Sequence, residues 1–101
     1  MQSWDDLRFF LAVARAGGLS GAARTLAVEP STVHRRVGLL EEALGTRLFD
    51  RQPRGYQLTN AGVELLASVE IIEAELLASR NRLLGHDSSL AGVVRIAAAE
   101  D

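Results

Sequence analysis

Hydrophobic and polar residues alternate along the first part of the chain with the period of a helix. The first apolar set occupies positions i, i+3, i+4 and i+7 and consists of Leu7, Phe10, Leu11 and Ala14. Ser3 is a suitable N-cap before this set, and Gly17 and Gly18 supply a stop after it. The pattern predicts a first helix over residues 4–16.

Two further helices are predicted before residue 46. Ser20 is placed to cap a short second helix, in which Ala22 and Ala23 are small enough to let another helix approach closely. Pro30 suits the first position of a third helix, because its missing N–H group has no helical partner there. The third helix should end at Gly45, and its apolar face consists of Val33, Val37, Leu40 and Leu44.

The next part of the chain predicts a hairpin and a long last helix. Residues 48–51 and 56–59 read as short strands around the turn-forming segment 52–55. Thr59 or Asn60 then caps a helix over residues 60–84, whose apolar stripe consists of Leu65, Val69, Ile72, Leu76 and Leu83. A domain of about 60 residues does not need so long a helix to cover its core. The stripe is therefore expected to pair with a second copy of the chain.

These elements together predict a fold and its division into domains. The fold class is mainly α, with a winged helix-turn-helix of three helices plus a β-hairpin wing, followed by a long dimerisation helix. Residues 85–89 have the polar composition of a linker, and Val93 begins a strand-like segment. The predicted domains are the winged helix-turn-helix at 1–59, the linker and dimerisation helix at 60–84, and a hinge with the first strand of a further, truncated domain at 85–101.

The polar face of the third helix is the candidate functional surface. A helix that enters a major groove needs one buried side and an exposed N-terminal half whose side chains hydrogen-bond to base edges. Arginines beside the hairpin turn can reach the DNA backbone or the adjacent minor groove. The predicted DNA-binding residues are Pro30, Ser31, Thr32, His34, Arg35, Arg36, Arg51 and Arg54. The alternative is that the hydroxyl groups only satisfy the helix end and that the arginines form a solvated face.

Composition disfavours several other functions. The 101 residues contain no cysteine, and the two histidines, His34 and His86, have no metal-binding spacing, so no metal site is predicted. No carboxylate is placed to orient His34 toward Ser31, and no Gly-rich phosphate loop is present, so no catalytic residue, cofactor or enzymatic activity is expected. The chain has neither a secretory signal nor an apolar run of about 20 residues. It is expected to be cytoplasmic, with no membrane partner.

Charge is divided unevenly along the sequence. The net charge of −2 argues weakly against a nucleic-acid partner when it is taken alone. Residues 1–60 contain eight Arg against six Asp or Glu, a balance of +2, whereas residues 61–101 contain three Arg against seven acids, a balance of −4. The predicted DNA-binding part is therefore mildly basic. All eleven cations are arginines, which suit bidentate recognition of bases and phosphates.

Five segments follow one another in a characteristic order and spacing: LRFFLAVA at 7–14, GLSGAARTL at 18–26, STVHRRV at 31–37, LGTRLFDR at 44–51 and LTNAG at 58–62. Together they resemble the N-terminal DNA-binding domain of LysR-type transcriptional regulators. The resemblance implies backbone contacts by Thr32, Arg51 and Arg54, and base readout by Pro30, Ser31, His34 and Arg35. The family commonly has Ser where Glu29 stands and Gln where Pro30 stands, so a Gln-to-adenine contact is not available here.

The same resemblance implies the partners. It implies binding to double-stranded DNA at a two-fold-related operator, as a homodimer joined through the helix at 60–84, with a tetramer left open. It also implies that a small-molecule effector binds only through a C-terminal domain, which would begin near Val93. Two alternatives remain: a winged-helix regulator of the molybdate-responsive type, and a winged helix that binds protein instead of DNA.

Overall fold

The structure is a computed structural model that describes the backbone of residues 3–92 and the side chains of residues 3–85. Its elements are α1 (Trp4–Ala16), α2 (Leu19–Leu26), α3 (Pro30–Leu44), β1 (Phe49–Gln52), β2 (Gly55–Leu58) and α4 (Asn60–Gly92). The two strands pair antiparallel, with Phe49 opposite Leu58 and Gln52 opposite Gly55. The predicted fold, three helices and a hairpin wing followed by a long helix, is confirmed.

The predicted ends of α1 and α3 agree with the structure. The Asp6 backbone N–H donates to Ser3 Oγ over 3.3 Å, which is the expected N-cap bond of α1. Helix α3 begins at Pro30 and ends before Gly45. The cap predicted for α2 was wrong, because α2 begins one residue before Ser20 and its N-cap, Gly18, makes no side-chain hydrogen bond.

Helix α4 extends further than the sequence predicted. The polar break at 85–89 was wrong, since α4 is helical through Gly92. An isolated Gly costs a helix only about 1 kcal/mol, and extending a helix that is already formed is easier than starting one. Polar composition alone therefore did not end the helix. The strand predicted from Val93 lies outside the described residues.

The first turns of α4 belong to the winged helix-turn-helix. Close contacts divide the chain into two units, the first ending at Val69 and the second beginning at Glu70. Val69 is fully buried, and Leu65 and Leu66 pack against the same core. The predicted boundary after residue 59 was therefore about three helical turns too early. The dimerisation role predicted for Val69 is also corrected, because its side chain has no exposed surface for a partner to cover.

Aromatic and branched aliphatic side chains form the core of the first unit. The rings of Phe10 and Phe49 lie 5.3 Å apart, and Tyr56 meets Phe49 edge-on at 5.7 Å. Helices α1, α3 and α4 and the wing segment all contribute fully buried side chains, namely Phe10, Val13, Val33, Val37, Leu40, Leu48, Phe49 and Val69. Leu44 was predicted on the buried face of α3 but is 41% exposed, because α3 ends there.

The turn between α2 and α3 has a left-handed residue with a side chain. Ala27 has φ 58° and ψ 45°, and the following Val28 N–H donates to the Ala23 carbonyl oxygen over 3.1 Å. This pattern closes the last turn of α2 and redirects the chain toward α3. Because left-handed backbone costs a residue with a Cβ atom about 1–2 kcal/mol, the packing of α2 against its neighbours must hold Ala27 there.

The wing is fastened to α1 and α4 by close backbone approaches. The Tyr56 N–H donates to the Gly17 carbonyl oxygen over 2.9 Å, and a Cβ atom on Gly55, at φ 136°, would overlap that same oxygen. On the other side, the Thr59 N–H donates to the Leu48 carbonyl oxygen over 3.0 Å, and Thr59 Oγ1 caps α4 by accepting from the Gly62 N–H. A Cβ atom on Gly62 would overlap the Leu48 carbonyl oxygen. Glycine is therefore required at both positions.

An ion pair joins α1 to α3. Arg36 Nη2 lies 2.9 Å from Asp6 Oδ1 and 3.4 Å from Asp5 Oδ2, and its guanidinium group lies 4.4 Å above the centre of the Phe9 ring. The hydrogen bond from Arg36 lowers the pKa of Asp6, although partial burial of the carboxyl opposes this. The arginine is therefore a structural contact between the two helices.

We expect Asp6→Asn to destabilise the fold by about 1 kcal/mol or less at pH 7, the range for partly exposed ion pairs. Because the pKa of Asp6 is lowered in the folded protein, this contribution is present above the usual value of 3.8 and is lost as the pH falls through the lower folded value. Denaturant unfolding of parent and variant between pH 2 and 7 measures it. In an Arg36→Ala background the effect of Asp6→Asn should shrink, and an unchanged effect would contradict the pairing.

We expect Gly62→Ala to destabilise the fold by about 1–3 kcal/mol, because α4 must move away from the Leu48 carbonyl oxygen. Gly38→Ala is the matched control, since no atom lies within 4 Å of a Cβ atom at that position of α3. An Ala in a helix interior should stabilise by about 0.5–1 kcal/mol. Thermal unfolding of both variants gives the comparison, and equal stability of the two would contradict the close approach.

Candidate nucleic-acid interface

The N-terminal half of α3 presents an exposed polar surface. One side of α3 is buried through Val33, Val37 and Leu40, so the polar side of the helix faces solvent. Thr32 is half-buried, and the exposed positions are Pro30, Ser31, His34 and Arg35. In the described part of the chain, no hydrogen bond or ion pair occupies the side chains of His34 and Arg35. Both side chains are therefore exposed and without a partner among the described residues.

Arg36 differs from its neighbour Arg35. Its side chain is only 25% exposed and is bound to Asp6 and Asp5. The helical period explains the contrast, because a step of one residue turns the side chain by about 100°. A DNA contact by Arg36 would require its helix-joining ion pair to break. Sequence reasoning placed it on the polar face without detecting this partner.

The two wing arginines are also in different situations. Arg51 Nε donates to the Tyr56 hydroxyl oxygen over 3.1 Å, Nη2 lies 3.5 Å from Glu41 Oε1, and the guanidinium lies 5.4 Å from the centre of the Tyr56 ring. Arg54 is exposed in the turn between β1 and β2. Arg51 is thus held in place in β1 opposite Tyr56, while Arg54 is exposed in the turn at the tip of the wing.

Glu41 connects α3 to the wing, and sequence reasoning missed this role. Its Oε2 atom accepts from the Leu48 N–H over 2.8 Å and from the Phe49 N–H over 3.2 Å, while Oε1 faces Arg51. The side chain is only 11% exposed. A signal was present in the sequence, because residue 41 follows Val37 by four positions and so adjoins the buried face of α3. An acid there needs partners, and the two backbone N–H groups supply them.

Neither a metal centre nor a membrane span emerges from the described residues. Among the side chains described, those of residues 3–85, no group of three or more His, Asp or Glu is arranged to hold a metal ion. None of the helices described has both the length and the apolar character needed to cross a bilayer.

We expect Glu41→Ala to destabilise the fold by about 2 kcal/mol, because two partly buried N–H groups lose their acceptor. Glu41→Gln keeps one acceptor oxygen and should cost less. Glu42→Ala removes an exposed carboxylate from the next position of α3 and is the control. Urea unfolding measures all three, and a cost for Glu41→Ala no larger than that for Glu42→Ala would contradict the role of Glu41.

Curated relatives match about three fifths of this chain. The transcriptional regulator TfdS of Cupriavidus pinatubonensis is 45% identical, and the regulator YofA of Bacillus subtilis is 51% identical, each over 61 residues. Each match covers 60% of this chain and 21% of the relative. The chain therefore spans about a fifth of the length of these relatives.

Solved structures and a family model give the same result. The structure of a complex between the CbnR DNA-binding domain and DNA has a TM-score of 0.75 at 32% identity, covering 85% of this chain and 99% of that one. Full-length LysG from Corynebacterium glutamicum has a TM-score of 0.79 at 25% identity, covering 88% and 31%. The family model for bacterial regulatory helix-turn-helix proteins of the lysR family matches residues 4–63. This confirms the resemblance: the chain belongs to the lysR family of bacterial regulatory helix-turn-helix proteins.

Proposed function

We propose that this chain is the DNA-binding part of a transcriptional regulator that reads a two-fold-related site as a homodimer. The observation that carries the proposal is the exposed N-terminal half of α3, where the side chains of His34 and Arg35 have no partner among the described residues. A helix with this exposure fits the major groove, and its first turns then lie nearest the base edges. The family's description as regulatory helix-turn-helix proteins, and the DNA complex of the similar CbnR domain, support it.

Arg35 is proposed to read a base. Its guanidinium group is free in the described structure, and bidentate donation to guanine O6 and N7 is the most frequent specific contact that arginine makes. Ser31, His34 and Pro30 lie on the same exposed surface and complete the proposed base-reading set.

Thr32, Arg51 and Arg54 are proposed to position the protein on the DNA backbone. Such contacts fix the register of a protein on the duplex and carry no sequence information directly. Arg54 is exposed at the wing tip, whereas Arg51 is bound to Glu41 and Tyr56 and would contact phosphate without leaving them. We assign Arg36 to the α1–α3 contact and omit it from the proposed interface.

The second unit supplies a surface for pairing. Ile72, Leu76 and Leu83 recur at four and seven residues on one face of α4, and they are 42%, 50% and 66% exposed. Large apolar side chains repeated in this way are costly to leave in water, and a second copy of the same helix would cover them. Of the predicted dimerisation set, Leu65 is partly buried in the first unit, so pairing is proposed to begin near Ile72.

We expect Arg35→Ala to weaken binding to the preferred site by about 1–3 kcal/mol and to relax its specificity. Arg54→Ala should weaken binding to all sequences alike and lower the slope of log affinity against log salt by about one unit. Selection from random duplexes first identifies the site, and fluorescence anisotropy at several salt concentrations then measures affinity. Arg82→Ala removes an exposed arginine from the second unit and should change affinity by less than about twofold.

Two results would contradict these assignments. Equal losses on the preferred site and on random DNA for Arg35→Ala would exclude base readout by that arginine. A purified parent protein that selects no duplex while still binding a protein partner would favour the protein-interaction alternative.

We expect Leu76→Glu to convert dimers into monomers, because the new carboxylate would be buried at the proposed pairing surface. Asn81→Glu introduces the same charge about 140° around the helix and is the control. Sedimentation velocity measures the oligomeric state, and circular dichroism checks that both variants fold. A parent protein that is monomeric at micromolar concentrations, or a Leu76→Glu dimer as stable as the parent dimer, would contradict pairing through this face.

A further inference from the structure

Glu29 places a carboxylate at the start of the recognition helix α3. It is the N-cap residue, with φ −76° and ψ 147°, and its side chain is exposed. The side chain makes no capping hydrogen bond. Glu is also a poor choice for this position, since Ser, Thr, Asp and Asn are the residues whose short side chains reach the first N–H groups.

The helix end is satisfied without the Glu29 carboxylate. Pro30 has no N–H group to satisfy, and the Glu29 carbonyl oxygen accepts from the Thr32 N–H over 3.0 Å and from the Val33 N–H over 3.3 Å. Among the described residues, no hydrogen bond or ion pair involves the Glu29 side chain. The carboxylate therefore performs no task in holding the fold, although it stands beside the proposed base-reading residues.

A carboxylate at this position can form hydrogen bonds with only a few groups of DNA. It only accepts hydrogen bonds, so phosphates repel it and the acceptors of guanine give it no bond. The major groove offers two amino donors, cytosine N4 and adenine N6. In adenine, the acceptor N7 lies next to N6 and repels the second oxygen of the carboxylate. Cytosine presents only the N4 donor.

We propose that Glu29 is a specificity-determining residue that accepts a hydrogen bond from the N4 amino group of a cytosine in each half-site. The inference rests on the proposed function, since it requires α3 to enter the major groove. Cytosine compensates the loss of water around the carboxylate best, because at adenine the N7 acceptor opposes the carboxylate beside the N6 donor. At guanine or thymine the buried charge stays unpaired. The expected preference for cytosine at that position is about tenfold or more.

The test is selection of bound sequences from random duplexes by three proteins. The parent should enrich cytosine at one fixed position of each half-site. Glu29→Gln should lose that preference or shift it toward adenine, because a Gln amide can bond to both N6 and N7. Glu42→Gln removes an exposed carboxylate from the C-terminal end of the same helix and should leave the base unchanged. Affinities for the four single-base variants of the selected site then quantify each preference.

The outcomes separate this inference from the proposed function. A parent that selects no sequence overturns both. A parent that selects a site at which Glu29→Gln keeps the same base frequencies overturns the inference alone. The same conclusion holds if Glu29→Gln only strengthens binding to every duplex, since the carboxylate then acts by repelling phosphate. Matching unfolding midpoints of the three proteins show that the comparison concerns recognition and not folding.

Discussion

The hydrogen bonds from the Leu48 and Phe49 N–H groups to the Glu41 carboxylate fix the geometry of the candidate interface. They tie the C-terminal half of α3 to the first residues of the wing, and the second oxygen of the same carboxylate faces Arg51. A short two-stranded sheet is only marginally stable by itself. Here the wing is held by Glu41, by the Gly17 carbonyl oxygen and by the contact of the Phe49 ring with the Phe10 ring of α1. Helix α3 and the wing are therefore joined by direct contacts.

The arginines of the first unit divide between holding the fold and facing solvent. Arg36 joins α3 to α1, and Arg51 joins the wing to α3, so each is occupied by carboxylates of the same chain. Arg35 and Arg54 carry no such partner within the described residues. Net charge cannot express this division, because a paired arginine and a free arginine count equally. In the proposed binding to DNA, Arg36 is not available and the charge of Arg51 is partly offset by Glu41, so the expected nonspecific attraction is weaker than the composition indicates.

The sequence predicted those elements whose ends depend on local rules. It did not predict features that depend on contacts between residues far apart in the chain. The apolar period and the caps located α1, and Pro30 with Gly45 located α3. The strands were found within one residue, because the turn residues between them are distinctive. Ala27 in a left-handed conformation and Glu41 beneath the wing depend on packing between elements that are far apart in sequence. The apolar residues of α4 follow one period along the whole helix, yet Val69 is buried in the first unit and Leu83 is exposed. The period alone cannot distinguish a residue that packs in the core from one on an exposed face.

The exposed carboxylate of Glu29 at the start of α3 bears on how the proposed DNA-binding surface would distinguish its specific site from other DNA. Most DNA-binding surfaces gain affinity for every sequence by adding cations, which raises specific and nonspecific binding together. In the proposed binding to DNA, Glu29 would have the opposite effect on nonspecific binding, because its charge opposes approach to any phosphate. A group of this kind improves the ratio of specific to nonspecific affinity even where it adds little affinity at the correct site, since specificity is a difference between two free energies. Together with a basic excess of only two charges in residues 1–60, this favours selectivity over tight binding.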